Sequence, residues 1–303
     1  MGMKVTPEQF KELLPSICDK ETSSDPDNWT PENPLWGHCA AVSLVAQNLF
    51  GGEPMRAPLT HIPKFAHMRS HYWNRLPDRT GTLTKELDFT APQFGNEYPY
   101  GLVAEQSTRR YILYDPKTGK SREIMKRYKL LAFRLAKLLS NNNPLFDDPI
   151  YKQCFYMALD SPCQKKKFGC VIVRNREVVY EGFNKTIKPL KSLCEPKCIR
   201  LNIASRTESM LGACGHAEEE GIWRVIRCGI PIGECALYVA GINPDGLPLI
   251  KKQTEFTCLR CAVQIYNANI RSIYVPVIDH WEWIFPERAI ETARAYATGE
   301  KKV

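Results

Sequence analysis

His216-Ala217-Glu218, followed by Cys258-Leu259-Arg260-Cys261, constrains this chain more than any other feature. Two cysteines spaced three residues apart lie one helical turn apart, so both thiolates can reach one ion. A helix start also favours the anionic thiolate, because the peptide dipoles point their positive end there. His216 opens a second helix and supplies a third ligand. Three protein ligands leave a tetrahedral zinc one open position for water. Glu218 falls in the first turn of the same helix, close to the ion without being forced to bind it, where it can carry protons. A purely structural zinc has four protein ligands; Cys214 is the candidate fourth, and that alternative stays open here.

The 303 residues allow two domains, each able to bury a core. No apolar run is long enough to span a bilayer. The opening residues, MGMKVTPEQFKELL, lack the apolar stretch of a secretory signal. Twelve cysteines in that setting point to a reducing cytosol, where cysteines bind metals or act as nucleophiles more often than they pair. The expected compartment is therefore the cytoplasm. Ten of the twelve lie at or beyond Cys154, which assigns the metal-binding capacity to the C-terminal half. The net charge of +8 is uneven: from Lys165 to Arg200 there are ten basic residues against three acidic ones. That stretch fits a phosphate-bearing substrate, and it fits a solvated basic face as well.

The polar, Pro-rich residues 20–36 read as a loop, and 39–50 (CAAVSLVAQNLF) as a buried helix stopped by Gly51-Gly52. Strand-like runs at 70–76 and 83–90 flank Pro77-Asp78-Arg79-Thr80-Gly81, a hairpin turn. Residues 126–139 form a basic amphipathic helix that packs on its own domain. Ser140-Asn141-Asn142-Asn143-Pro144 is the clearest break and divides the chain into domains 1–143 and 144–303. Beyond it the pattern predicts a helix over 149–159, a hairpin of 168–174 and 178–183 turning at Asn175, and a long insertion over 185–212. Helices follow over 216–227, 258–267 and 286–298, with strands at 235–240 and 272–277. Such alternation implies a mixed sheet sandwiched by helices.

Histidine, glutamate and the cysteine pair match the H-x-E…C-x-x-C pattern of zinc nucleobase deaminases. Residues 149–280 resemble the deoxycytidylate (dCMP) deaminase branch of the cytidine deaminase superfamily. Ser161-Pro162-Cys163, the run Phe168 to Val173, and Gly182-Phe183-Asn184 carry the resemblance beyond the zinc motif. It implies an α/β/α sandwich with a mixed sheet, a homo-oligomer, and a zinc ion on His216, Cys258 and Cys261. It also implies that Glu218 is the proton carrier and that Asn184 and Ala217 contact a nucleotide substrate. A second, structural zinc is common in this branch, and Cys163, Cys194, Cys198 and Cys214 sit in matching regions. Separate buried cysteines explain those four as well. Thr257 replaces the usual proline before the cysteine pair, and Glu220 stands where asparagine is common, which bears on the substrate more than on the reaction. The reading is hydrolytic deamination of a cytosine nucleotide, dCMP first. Bases within DNA or RNA, another aminated heterocycle, or a catalytically inactive binding protein are the alternatives.

In the N-terminal half, Trp36-Gly37-His38-Cys39 opens a helix, while His71 and Asp88 fall on the two hairpin strands. Cysteine on a helix with histidine and aspartate on neighbouring strands is the layout of papain-like thiol enzymes; buried packing residues explain the same pattern. Residues 30–95 resemble a small bacterial family of unassigned function, the YunG-like proteins. The expected fold is thus a smaller α+β domain, with a candidate thiol site, ahead of the α/β domain.

Overall fold

The computed structural model describes residues 5–78, 81–99, 101–114, 121–195, 197–203, 212–250 and 257–300. The chain divides into two compact units, Met1–Leu139 and Ser140–Val303.

The first unit begins with α1 (Pro7–Ile17), entered through a capping box. The Thr6 hydroxyl accepts from the Gln9 amide, and the Gln9 side chain accepts from the Thr6 amide, so each satisfies an orphan helix donor. The next helix, α2 (Cys39–Phe50), is buried along most of its first two turns and ends at Gly51, whose φ of +74° suits glycine. The strands β1 (Glu53–Pro58), β2 (Ser70–Pro77), β3 (Leu83–Leu87) and β4 (Glu105–Gln106) form an antiparallel sheet in the order β3-β2-β1-β4. Helix α3 (Arg109–Tyr114) leads to α4 (Ser121–Leu139); α2 packs on β2, and α4 packs on α2.

Two expectations need correction in this unit. The second hairpin strand ends at Leu87, so Asp88 lies just beyond it. β1 was not expected, because prolines near both ends of EPMRAP hide it. Arg79 and Thr80 of the expected turn lie outside the described residues.

The loop before α2 is built to deliver Cys39. Gly37 has φ +79°, and a Cβ there would lie 2.4 Å from the Ser23 hydroxyl oxygen. His38 is fully buried, with Nε2 2.8 Å from the Thr22 hydroxyl and Nδ1 2.9 Å from the Trp36 carbonyl. Burial lowers its pKa to about 4, so the ring is neutral and acts as a polar staple.

The second unit runs α5 (Pro149–Asp160), β5 (Lys167–Arg174), β6 (Glu177–Phe183), β7 (Lys185–Thr186), β8 (Cys214–Gly215), α6 (Ala217–Arg227), β9 (Ala236–Ile242), α7 (Leu259–Asn267), β10 (Ser272–Val277), β11 (His280–Ile284) and α8 (Pro286–Ala297). Five of these strands form a mixed sheet in the order β11-β10-β9-β5-β6, in which β9 and β10 are parallel and the other pairs antiparallel. This is the mixed α/β architecture of a cytidine-deaminase-like fold. β11 was not expected; it pairs through Ile273↔Ile284 and closes one edge of the sheet. Pro196 and residues 204–211 of the insertion lie outside the described residues.

The period of two in the strands sorts the layers. Cys170, Ile172, Leu237, Ile273 and Val275 face α6, α7 and α8, meeting Ile222, Val225, Ala262, Ile265 and Ala289 in one core. The opposite face receives α5. There the rings of Tyr238 and Tyr274 stack at 4.3 Å, and Trp281 sits edge-on to Tyr238 and Tyr151. Gly169 lets α5 approach: a Cβ at that position would lie 1.9 Å from the Cys154 carbonyl oxygen.

Because the obstructing atom is backbone, Gly169→Ala cannot be relieved by a rotamer change. It should cost at least about 1–3 kcal/mol, the usual cost of overpacking, read as a lower urea midpoint for the C-terminal unit. An unchanged midpoint would contradict this packing.

Candidate metal centre

The sequence places His216 and Cys258 at helix starts, and each is the residue before the first helical turn, of α6 and α7 respectively. Cys261 lies in the first turn of α7 and is fully buried. The His216 Nδ1 is 3.2 Å from the Cys261 Sγ and 3.3 Å from the Cys258 Sγ. All three donor atoms lie within 4.8 Å of one another. Among the described residues this is the one group of histidine, cysteine and acidic side chains close enough to hold an ion.

These groups act strongly on one another. The Cys258 thiol is pulled down to about 4 by its hydrogen bond with Cys261 and by His216, despite burial. Its hydrogen bond to Cys258, burial and the nearby carboxylates push Cys261 far up. His216 is raised to about 9, chiefly by its bond with Cys258. Burial raises Glu218, against the pull of His216. One ring nitrogen and two sulfurs thus stand in mutual contact in a largely buried place. A soft-to-borderline dication fits this N/S donor set, and zinc is the ion whose ordinary ligands these are.

Glu219 organises the site, and the sequence reading missed it. Its carboxylate accepts from the His216 amide at 2.9 Å, from Arg260 at 2.5 and 2.8 Å, and from Gln264 at 2.6 Å. One buried carboxylate therefore clamps the two ligand-bearing helix starts together. The glutamate three residues after a helix cap was the available signal.

The other expected residues separate. Ala217 is fully buried at the start of α6. Asn184 is nearly buried: its Oδ1 accepts from the Phe168 amide at 2.7 Å and meets the Ser161 hydroxyl at 2.8 Å, while Nδ2 donates to the Lys166 carbonyl at 3.1 Å. It braces the entry to β5, with one amide hydrogen left over. Glu220 pairs with Lys185 at 3.1 Å. Cys163, Cys194, Cys198 and Cys214 line one cavity of about 480 Å³ with Lys185, Lys188 and Lys191. Of these cysteines, Cys194 and Cys214 approach to 3.7 Å.

In the N-terminal unit the structure does gather the candidate thiol residues. His71 Nε2 lies 2.6 Å from Asp88 Oδ2, and Cys39 lies close enough to the same ring to act on its charge. Tyr98 and Thr90 hold the Asp88 carboxylate. Burial disfavours the imidazolium, but the bonds with Asp88 and Cys39 outweigh it and raise His71 to about 9.

A pKa raised from 6.5 to about 9 stabilises the fold fully below pH 6.5, and that stability is lost as the pH rises through 9. The thermal midpoint of the wild type should therefore fall over that window towards that of Asp88→Asn, which starts lower and stays flatter. Parallel curves would show that the His71–Asp88 pair is not charged.

Comparison with known proteins agrees with both halves. Residues 6–140 match the family model described as YunG protein, and residues 146–277 match that of the cytidine and deoxycytidylate deaminase zinc-binding region. A deoxycytidylate deaminase of Schizosaccharomyces pombe is 30% identical over 142 residues, covering 46% of this chain and 39% of the relative. A deoxycytidylate deaminase of Saccharomyces cerevisiae is 25% identical over 181 residues, covering 58% and 53%. The ComE operon protein 2 of Bacillus subtilis is 24% identical over 123 residues, covering 40% and 54%. The chain thus spans between 39% and 54% of the lengths of these relatives. The N-terminal part of the chain is thus similar to YunG protein and the C-terminal part to the cytidine and deoxycytidylate deaminase zinc-binding region.

Proposed function

We propose that the C-terminal unit is a zinc-dependent hydrolase that deaminates a cytosine nucleotide, dCMP first, releasing ammonia and the uracil nucleotide. The observation that carries this reading is the convergence of His216, Cys258 and Cys261 within 4.8 Å, with buried Glu218 close enough to feel both His216 and Cys258. Zinc bound by these three residues supplies a Lewis acid that makes water a nucleophile at neutral pH. Glu218 takes a proton from the attacking water and returns protons to the ring nitrogen and the departing amine. Burial keeps bulk water from competing for those protons. Glu219, held by Arg260 and Gln264, keeps His216 and the cysteines in place while this happens.

The lysines at the neighbouring cavity support a 5′-phosphate there, and the spare amide hydrogen of Asn184 supports a contact to the sugar or base. Cys163, Cys194, Cys198 and Cys214 would have to close around the Cys194–Cys214 pair to hold a second zinc. Trp223 and Ile226 on α6 and Leu259, Val263 and Tyr266 on α7 are exposed apolar side chains, which supports a homo-oligomer. We place the domain boundary at 143/144, within the link between the two matched families. The N-terminal unit follows a papain-like arrangement of cysteine, histidine and aspartate in this reading.

Ammonia release should be measured over dCMP, CMP, deoxycytidine, dCTP and a cytosine-containing oligonucleotide, with Glu218→Gln alongside. The free monophosphate should react fastest. The variant should lose at least about 10²-fold in rate, the usual worth of a general acid–base, while keeping its zinc. Full activity in Glu218→Gln, or ammonia from the oligonucleotide alone, would overturn the corresponding part of the reading.

A further inference from the structure

Cys39 stands at the start of α2, a helix whose first turn carries no side-chain cap. The helix is twelve residues long, so its first N–H groups present a partial positive charge beside the thiol. Cys39 lies close enough to His71 to act on its charge, and Asp88 occupies the Nε2 of that ring at 2.6 Å, so Nδ1 is the ring nitrogen turned away from the carboxylate. His71 is fully buried and wedged by Phe94, 4.9 Å away edge-on, and by Trp73, 5.8 Å away and stacked. The ring is therefore fixed in orientation by packing on both sides and by a carboxylate behind it.

Gln93 adds a fourth group that no pattern in the sequence had indicated. It is 1% exposed. The Gly37 amide donates to its Oε1 at 3.3 Å, which turns the Nε2 donor to within 3.5 Å of His71 Nδ1. Asn33 donates to its backbone carbonyl at 2.9 Å and fixes the segment. A buried amide donor is thus held at the base, on a side chain tied to the loop that leads into the helix start. Nucleophile, base, orienting carboxylate and two kinds of carbonyl-oxygen donor meet in one place, as acyl transfer requires.

We propose that the N-terminal unit contains a second active site, separate from the zinc centre. In it Cys39 attacks the carbonyl of an amide substrate while Gln93 Nε2 and the backbone N–H of Cys39 bind the carbonyl oxygen. This extends the papain-like arrangement proposed above and does not depend on the deaminase reading. His71 holds the proton on Nδ1 while the Cys39 sulfur attacks and the S–C bond forms. His71 gives that proton to the amine as the C–N bond breaks, leaving a thioester. Water then adds, His71 takes its proton, and the S–C bond breaks to return the thiol and a carboxylic acid. The net reaction consumes one water and changes no oxidation state. Asp88 acts through His71 and is a positioning residue.

The test uses the full chain and two small probes, with adducts located on each cysteine by peptide mass spectrometry. Substoichiometric iodoacetamide at pH 7 should alkylate Cys39 at least tenfold faster than the exposed Cys228. His71→Ala should lose that excess. Acetylation of Cys39 by 4-nitrophenyl acetate reads the carbonyl-oxygen donors, which alkylation does not use. Gln93→Ala should keep the alkylation rate of wild type and slow acetylation by about 10²–10³-fold. Asp88→Asn, which preserves shape, should slow both, and circular dichroism checks that each variant is folded. Cys39 reacting no faster than Cys228 in the wild type would overturn the proposal, whatever the variants do. An equal loss of alkylation and acetylation in folded Gln93→Ala would overturn the role of Gln93.

Discussion

The C-terminal unit depends on a single buried carboxylate. Glu219 accepts hydrogen bonds from the His216 amide, the Arg260 guanidinium and the Gln264 amide, so it ties the start of α6 to the start of α7. Both helix starts carry metal ligands, and nothing in their own short sequences makes them meet. A buried carboxylate left without partners costs several kcal/mol, roughly 3–5 when one member of a buried pair is removed. The three interactions therefore select the arrangement in which His216, Cys258 and Cys261 converge. The mixed sheet supplies the rest: Ile172, Leu237 and Ile273 hold the cores of α6 and α7 against one face.

The same logic governs the N-terminal unit with different groups. There the entry into α2 is fixed by Gly37, which cannot carry a Cβ, and by His38, which is buried neutral between Thr22 and Trp36. These fix where Cys39 emerges. His71 is then placed by β2 and oriented by Asp88, itself held by Thr90 and Tyr98. Two units with different folds thus each place a cysteine at a helix start. In one the partners form a candidate metal site, and in the other a candidate thiol site.

Much of this was legible in the sequence, for identifiable reasons. His216, Glu218, Cys258 and Cys261 stand at spacings that only a few chemistries use. The continuous apolar, β-branched run along Phe168 to Val173 announced a strand, and the glycines after Phe50 announced a helix stop. The elements that escaped lack such markers. β1 is bracketed by prolines, and β11 is a short run of aromatic and charged residues whose partner strand alone makes it a strand. Gln93 was invisible and Glu219 only half legible, as a capping glutamate, because their roles come from long-range contacts, with Gly37 and His71 in one case and Arg260 and Gln264 in the other. Asn184 was legible as a residue of interest, but its bonds to Phe168, Ser161 and Lys166 show a bracing role that a motif could not convey.

The central claim is that one nitrogen and two sulfurs hold a zinc with a position to spare. X-ray absorption at the zinc edge of the purified full chain measures this directly. The account predicts two sulfurs at about 2.3 Å and two lighter atoms at about 2.0–2.1 Å, one of them exchangeable oxygen. A shell of three or four sulfurs would place Cys214 or other cysteines on the ion, make the site structural, and contradict it.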